Sequence, residues 1–83
     1  MSKLEKLEKL IEKGEEAINQ KKYGRAINNF TYALEFDKNN FSIYSKRCFS
    51  YLQNLQFEEV IKDSNKMIKI NPKNSLVNFK KKN

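Results

Sequence analysis

The sequence predicts an all-α fold of antiparallel helix hairpins, about five helices in all, on three observations. Apolar residues recur at steps of three and four along five separate stretches, the spacing that lines one side of a helix. Only two glycines and one proline punctuate the 83 residues, too few for the frequent turns of an all-β fold. The pattern of the first half also returns in the second, 34 residues later.

The first stretch runs from Ser2 to Gln20 and carries Leu4, Leu7, Leu10, Ile11, Ala17 and Ile18. Ser2 and Glu5 have the spacing of a capping box, in which a hydroxyl and a carboxylate satisfy each other's backbone N–H groups at the helix start. Gly14 interrupts the stripe at a cost of about 1 kcal/mol relative to Ala, so a packing reason is expected there. Polar residues 19–22 end the pattern. A second stripe, Tyr23, Ala26, Ile27, Phe30, Ala33 and Leu34, leads to Asp37-Lys38-Asn39-Asn40, a turn by composition. Phe41, Tyr44, Cys48, Tyr51 and Leu52 predict a third helix broken at Gln53-Asn54. Phe57, Val60, Ile61, Met67 and Ile68 predict a fourth, stopped at Asn71 because the residue before Pro72 is driven out of helical geometry. Ser75 to Asn83, with Leu76, Val77 and Phe79, opens a fifth, whose apolar residues are expected to cover the free side of the fourth.

Composition removes whole classes of function. The chain has no His, which excludes His-based acid–base and nucleophile chemistry and most zinc sites. Cys48 is alone, so no internal disulfide can form, and a cytoplasmic or other reducing compartment is expected. No apolar run approaches the roughly 20 residues of a membrane-spanning helix, and no membrane partner is expected. Asp37-Lys38-Asn39 starts like a calcium loop but has Ser42 and Cys48 where that loop needs Gly and Glu. Gly14 and Gly24 are isolated, so no phosphate loop exists. The pairs Glu15-Glu16 and Glu58-Glu59 point along different faces of their helices and form no carboxylate dyad. Asn29-Phe30-Thr31 and Asn40-Phe41-Ser42 match the glycosylation triplet by chance in so Asn-rich a chain. The expectation is therefore no catalytic activity, no cofactor and no metal.

The net charge of +7 is uneven: residues 1–40 carry eight bases and seven acids, residues 41–83 nine bases and three acids. Such asymmetry attracts acidic partners to the second half, although lysines also simply solvate helix faces.

Overlaid at the 34-residue offset, Gly14 falls on Cys48, Tyr23 on Phe57, Ala26-Ile27 on Val60-Ile61, Leu34 on Ile68, Asp37 on Asn71 and Asn40 on Asn74. On these residues the chain resembles the tetratricopeptide-repeat (TPR) family. Residues 7–40 form one repeat, 41–74 a second, and 75–83 a partial third or capping helix, with 1–6 extending the first helix. The resemblance implies a right-handed α-solenoid, with Gly14, Cys48, Ala26 and Ala33 as small residues at close helix approaches. Leu10, Tyr44, Tyr51, Tyr23, Phe57 and Phe30 would fill the spaces beside them. Val60 and Met67 stand where the family usually has Ala, and Ser64 where the first repeat has Phe30, so different spacing is expected in the second hairpin. Two repeats and one helix make a marginal core, and a piece of a longer protein is expected.

The family generally binds peptides or partner domains on the surface lined by the first helix of each repeat. Here that implies an adaptor groove of Ile11, Glu15, Ile18, Asn19, Ser42, Ser45, Lys46, Phe49, Leu52, Gln53, Leu76 and Lys80, with Ile11, Ile18, Phe49 and Leu52 equally readable as inter-helix core. A co-chaperone subclass grips acidic chaperone tails with Lys, Asn, Asn, Lys and Arg. At the matching places this chain has Ile11, Glu15, Lys46, Leu76 and Lys80, so the clamp is mostly missing and weak or absent tail binding is expected. Two further alternatives are weak nucleic-acid binding, through Phe79 to Lys82 with Tyr44, Lys46 and Arg47 nearby, and self-association along the short heptad of Leu4, Leu7, Ile11, Gly14 and Ile18, leaving monomer or weak dimer open.

Overall fold

The computed structural model describes residues 1–72. They form four α-helices: α1 (Lys3–Asn19), α2 (Tyr23–Phe36), α3 (Phe41–Gln53) and α4 (Phe57–Ile70). There is no strand among the described residues. The expected fifth helix, with Leu76, Val77 and Phe79, lies outside them.

Each boundary follows from local chemistry. Ser2 Oγ accepts from the Glu5 N–H at 3.1 Å, and the Ser2 N–H donates to Glu5 Oε1 at 2.8 Å, closing the capping box. Hydrogen bonding to the carboxylate, from the Ser2 backbone first and the Ser2 side chain second, holds the Glu5 carboxyl below its usual pKa. The α2–α3 turn is closed by Asn40, whose Oδ1 accepts from the Ile43 N–H at 3.0 Å while its Nδ2 donates to Asp37 Oδ2 at 2.9 Å.

The turns inside the two hairpins are copies of each other. After α1 the Lys21 N–H donates to the Ile18 carbonyl at 2.9 Å and the Lys22 N–H to the Ala17 carbonyl at 2.8 Å. After α3 the Leu55 N–H donates to Leu52 at 3.1 Å and the Gln56 N–H to Tyr51 at 2.9 Å. Both are Schellman motifs, which need a left-handed residue just past the cap. Lys21 and Leu55 supply it, each with φ of 60°. The flanking dihedrals repeat as well: Lys22 (−99°, 73°) against Gln56 (−101°, 75°), and Asp37 (−142°, 84°) against Asn71 (−141°, 79°). The 34-residue period is thus written in the backbone, with α2 and α4 both 14 residues long.

Short turns force antiparallel hairpins, and the hairpins stack in series. α1 packs on α2, α2 on α3 and α3 on α4, and α1 also touches α3. The core lies where α1, α2 and α3 meet: Ala17, Ala26, Phe30, Ala33, Leu34 and Ile43 are buried, ringed by Leu7, Leu10, Ile11, Ile18 and Tyr44. Gly14 has the packing reason its sequence position called for. A methyl group there would sit 2.6 Å from Phe30 Cζ and 2.9 Å from Cδ1, so the fully buried ring occupies the space a side chain would need. In the second hairpin the pair is exchanged: Cys48 stands in place of Gly14, Ser64 in place of Phe30, and Cys48 Sγ lies 3.5 Å from Ser64 Oγ. A larger residue on the first helix is matched by a smaller one on the second. The thiol also donates to the Val60 carbonyl at 3.7 Å.

The fourth helix forms where expected, with Val60 and Met67 of its stripe half-buried. Phe57, expected to fill inter-helix space, is 57% exposed, and Ile61 and Ile68 are exposed as well (61% and 37%), while the fifth helix expected to cover the free side of α4 lies outside the described residues. The α4 residue that is buried is Asp63, at 3% exposure. The face of α4 bearing Asp63 and Ser64 meets α3, and the apolar row lies about a quarter turn away from it.

Candidate functional site

The contact between α1 and α3 sets the first helices of the two hairpins side by side. Residues at helical steps along their shared outer surface can therefore be met by one ligand. Ile11 and Ile18 are half-buried and pack against the core, whereas Glu15 and Asn19 are exposed. On α3, Ser42, Ser45, Phe49, Leu52 and Gln53 are exposed, with Phe49 at 44% and Leu52 at 45%. Phe49 is steadied by the Tyr23 ring, edge-on with centroids 6.3 Å apart. Of the four apolar residues, the α1 pair thus serves the core, and the α3 pair is presented to solvent.

The polar members are brought together rather than left as separate charges. Lys46 Nζ lies 3.5 Å from Glu15 Oε2 and donates to Ser42 Oγ at 2.8 Å. With side chains 31% and 47% exposed, this ion pair contributes little to stability, but it orients both groups and partly neutralises the cation. Leu76 and Lys80 lie outside the described residues. Beneath this surface Ser50 is fully buried and donates to the Lys46 carbonyl at 2.9 Å, which explains a hydroxyl inside α3.

A second polar cluster was not visible in the sequence. Arg47 Nε donates to Asp63 Oδ2 at 2.9 Å and Nη2 to Oδ1 at 2.7 Å, a bidentate pair joining α3 to α4. Nη1 donates to Thr31 Oγ1 of α2 at 3.1 Å. The guanidinium lies over the rings of Tyr44 and Tyr51, 5.3 and 5.5 Å from their centroids, so one side chain ties three helices. Burial works to lower the Arg47 pKa, but the hydrogen bond and charge of Asp63 outweigh it, and the pKa stands above its ordinary value. Burial also raises the Tyr51 phenol, against the pull of Arg47. This corrects the view of Arg47 as a surface cation beside Lys46: its charge is already spent on a buried carboxylate. The only signal in the sequence was an Arg and an Asp 16 residues apart, with tyrosines three before and four after the Arg.

Among the described residues no three His, Cys, Asp or Glu side chains gather as a metal site, and no helix is long and apolar enough to cross a membrane.

Comparison with known proteins finds relatives at modest identity. The chain is 34% identical over 65 residues, 78% of its length, to the heat shock protein sti1 homolog of Schizosaccharomyces pombe. It is 38% identical over 61 residues, 71% of its length, to Hsp70-Hsp90 organizing protein 3 of Arabidopsis thaliana. It is 31% identical over 71 residues, 86% of its length, to sperm-associated antigen 1 of Rattus norvegicus. These matches span only 11%, 11% and 8% of those proteins. No family model matches the chain, and no solved structure does. The relatives and the all-helical repeat fit the TPR-type architecture that the sequence resembles.

Proposed function

We propose that the chain is a TPR module, with repeats at residues 7–40 and 41–74, acting as a non-catalytic adaptor. It holds a segment of another protein across α1 and α3. One observation carries this reading: the backbone recurs at 34 residues and sets the first helices of the two hairpins in contact, leaving Phe49 and Leu52 exposed between polar neighbours. Two aromatic or aliphatic anchors ringed by Ser42, Ser45, Lys46, Asn19 and Gln53 suit an extended or helical peptide with a few apolar side chains. A lone half-buried thiol, Cys48, is compatible with a reducing compartment.

Selection from a random phage-displayed peptide library tests the reading. Selected peptides should bind the parent and lose binding to Phe49→Ala/Leu52→Ser, while Tyr32→Ser, at an exposed site on α2, leaves binding intact. Peptides indifferent to the double change refute it.

The likeness to the Arabidopsis Hsp70-Hsp90 organizing protein favours a second reading: capture of an acidic chaperone tail. The clamp positions argue for weak or absent binding. Ile11 is half-buried in the core, and Lys46 is shared with Glu15. A terminal carboxylate would compete with Glu15 for Lys46 and meet like charge. Calorimetry with a chaperone tail peptide should detect no micromolar binding, and finding it would overturn this expectation. Nucleic-acid binding loses Arg47 from its basic surface, and a shift assay at low salt should show none that depends on that residue.

A further inference from the structure

Directly opposite the proposed groove, α1 carries a different kind of surface. At about 100° per residue, Lys6, Lys9 and Lys13 lie about 180° around the helix from Ile11, Glu15 and Ile18. These three lysines rim an open cleft of about 260 Å³, floored by Leu10, Phe36 and Met1. No acidic side chain lines it, and among the described residues none of the three lysines forms an ion pair. All three are exposed, and although Glu5, Glu12 and Glu16 stand one to four residues away on the same helix, what distinguishes the cleft is an apolar floor with three cations and no carboxylate in its lining.

We infer that this cleft is a second docking surface, for an acidic amphipathic segment of a partner protein, separate from the α1–α3 groove. Charge selects the occupant. A second copy of this chain arrives with a net charge of +7 and is repelled, whereas a segment with carboxylates beside one or two bulky apolar side chains satisfies both rim and floor. The volume suits two such side chains better than a whole helix. A molecule with an anchor site on each side of α1 brings two segments to opposite faces of one helix.

The probe is a fluorescein-labelled dodecapeptide, Glu-Glu-Leu-Phe-Glu-Glu repeated twice, read by fluorescence anisotropy. Its control has every Leu and Phe replaced by Ser. The parent chain should bind the probe saturably, more weakly as salt rises, and the Ser control at least about fivefold more weakly. Lys6→Glu/Lys9→Glu/Lys13→Glu should weaken binding at least about tenfold. Lys62→Glu/Lys66→Glu/Lys69→Glu brings the net charge to the same +1 and should change binding less than about twofold, as should Phe49→Ala/Leu52→Ser. Circular dichroism checks that each variant remains helical. Absent binding, equal loss in the two lysine variants, or equal binding of the Ser control would each overturn the inference. Loss confined to Phe49→Ala/Leu52→Ser would place the probe in the α1–α3 groove instead. Sedimentation showing a dimer that the α1 triple change dissolves would identify a second copy as the occupant and reject the acidic partner.

Discussion

Removing the Asp63 carboxylate should unlock α4 from α3. In the parent, Asp63 accepts two guanidinium donors at 2.9 and 2.7 Å, with the two side chains only 16% (Arg47) and 5% (Asp63) exposed. Asp63→Ala leaves that charge facing an empty, water-poor pocket. Breaking a buried pair in this way typically costs about 3–5 kcal/mol. The lower end applies here, about 3 kcal/mol, because Arg47 keeps its bond to Thr31 and its two rings and can reach solvent through its exposed edge. A core this small rarely supplies more than about 3–5 kcal/mol in total, so the variant should be largely unfolded or confined to its first hairpin at 25 °C. Urea titrations of helicity on parent and variant in parallel measure the difference. Arg47→Met/Asp63→Leu removes both charges and fills the space, and should lie within about 1 kcal/mol of the parent. An Asp63→Ala midpoint within about 1 kcal/mol of the parent would refute the argument. So would a double variant as unstable as the single one, since the loss would then come from shape rather than an abandoned charge.

The two glycines should respond in opposite directions. Gly14→Ala should destabilise by about 1–2 kcal/mol in thermal melts, because overpacking against the immobile Phe30 outweighs the helix-propensity gain. Gly24→Ala, with nothing within 4 Å of the new methyl, should stabilise by about 0.5–1 kcal/mol. Leu55→Gly relieves a left-handed leucine that is 72% exposed and should raise stability by about 0.5–1 kcal/mol, measured by urea denaturation. Tyr51 predicts alkaline sensitivity: its folded pKa is raised, so its contribution is fully present below the ordinary phenol value near 10 and is lost as pH rises through the folded value. Melting temperature from pH 8 to 11 should fall less steeply in Tyr51→Phe than in the parent.

Much of the fold was legible because it rests on short-range chemistry. The capping box needs only Ser2 and Glu5, the α2–α3 turn only Asp37 and Asn40, and the end of α4 only Asn71 and Pro72. The 34-residue period marked both hairpins, although the residues holding their turns, Lys21 and Leu55, carried no signal, since neither is the glycine a left-handed position favours. The second hairpin's exchange of Gly14–Phe30 for Cys48–Ser64 looked like a departure in each residue taken singly. It makes sense only once the two are seen to face each other.

What sequence alone determined, then, was the four described helices and their order, because helical period and capping act within a few residues along the chain. Tertiary structure decided which charges are free. Asp63 and Arg47 read as ordinary helix-surface residues until α3 and α4 meet, when burial makes them a bidentate lock, and Glu15 meets Lys46 only across the α1–α3 contact. Apolar exposure followed the same rule: Ile61 and Ile68 repeat the spacing of Ile27 and Leu34, yet only the pair on α2, against which another described helix packs, is buried. The interaction of two charges depends on their separation in space and on the water excluded around them, and neither quantity exists until the helices have packed.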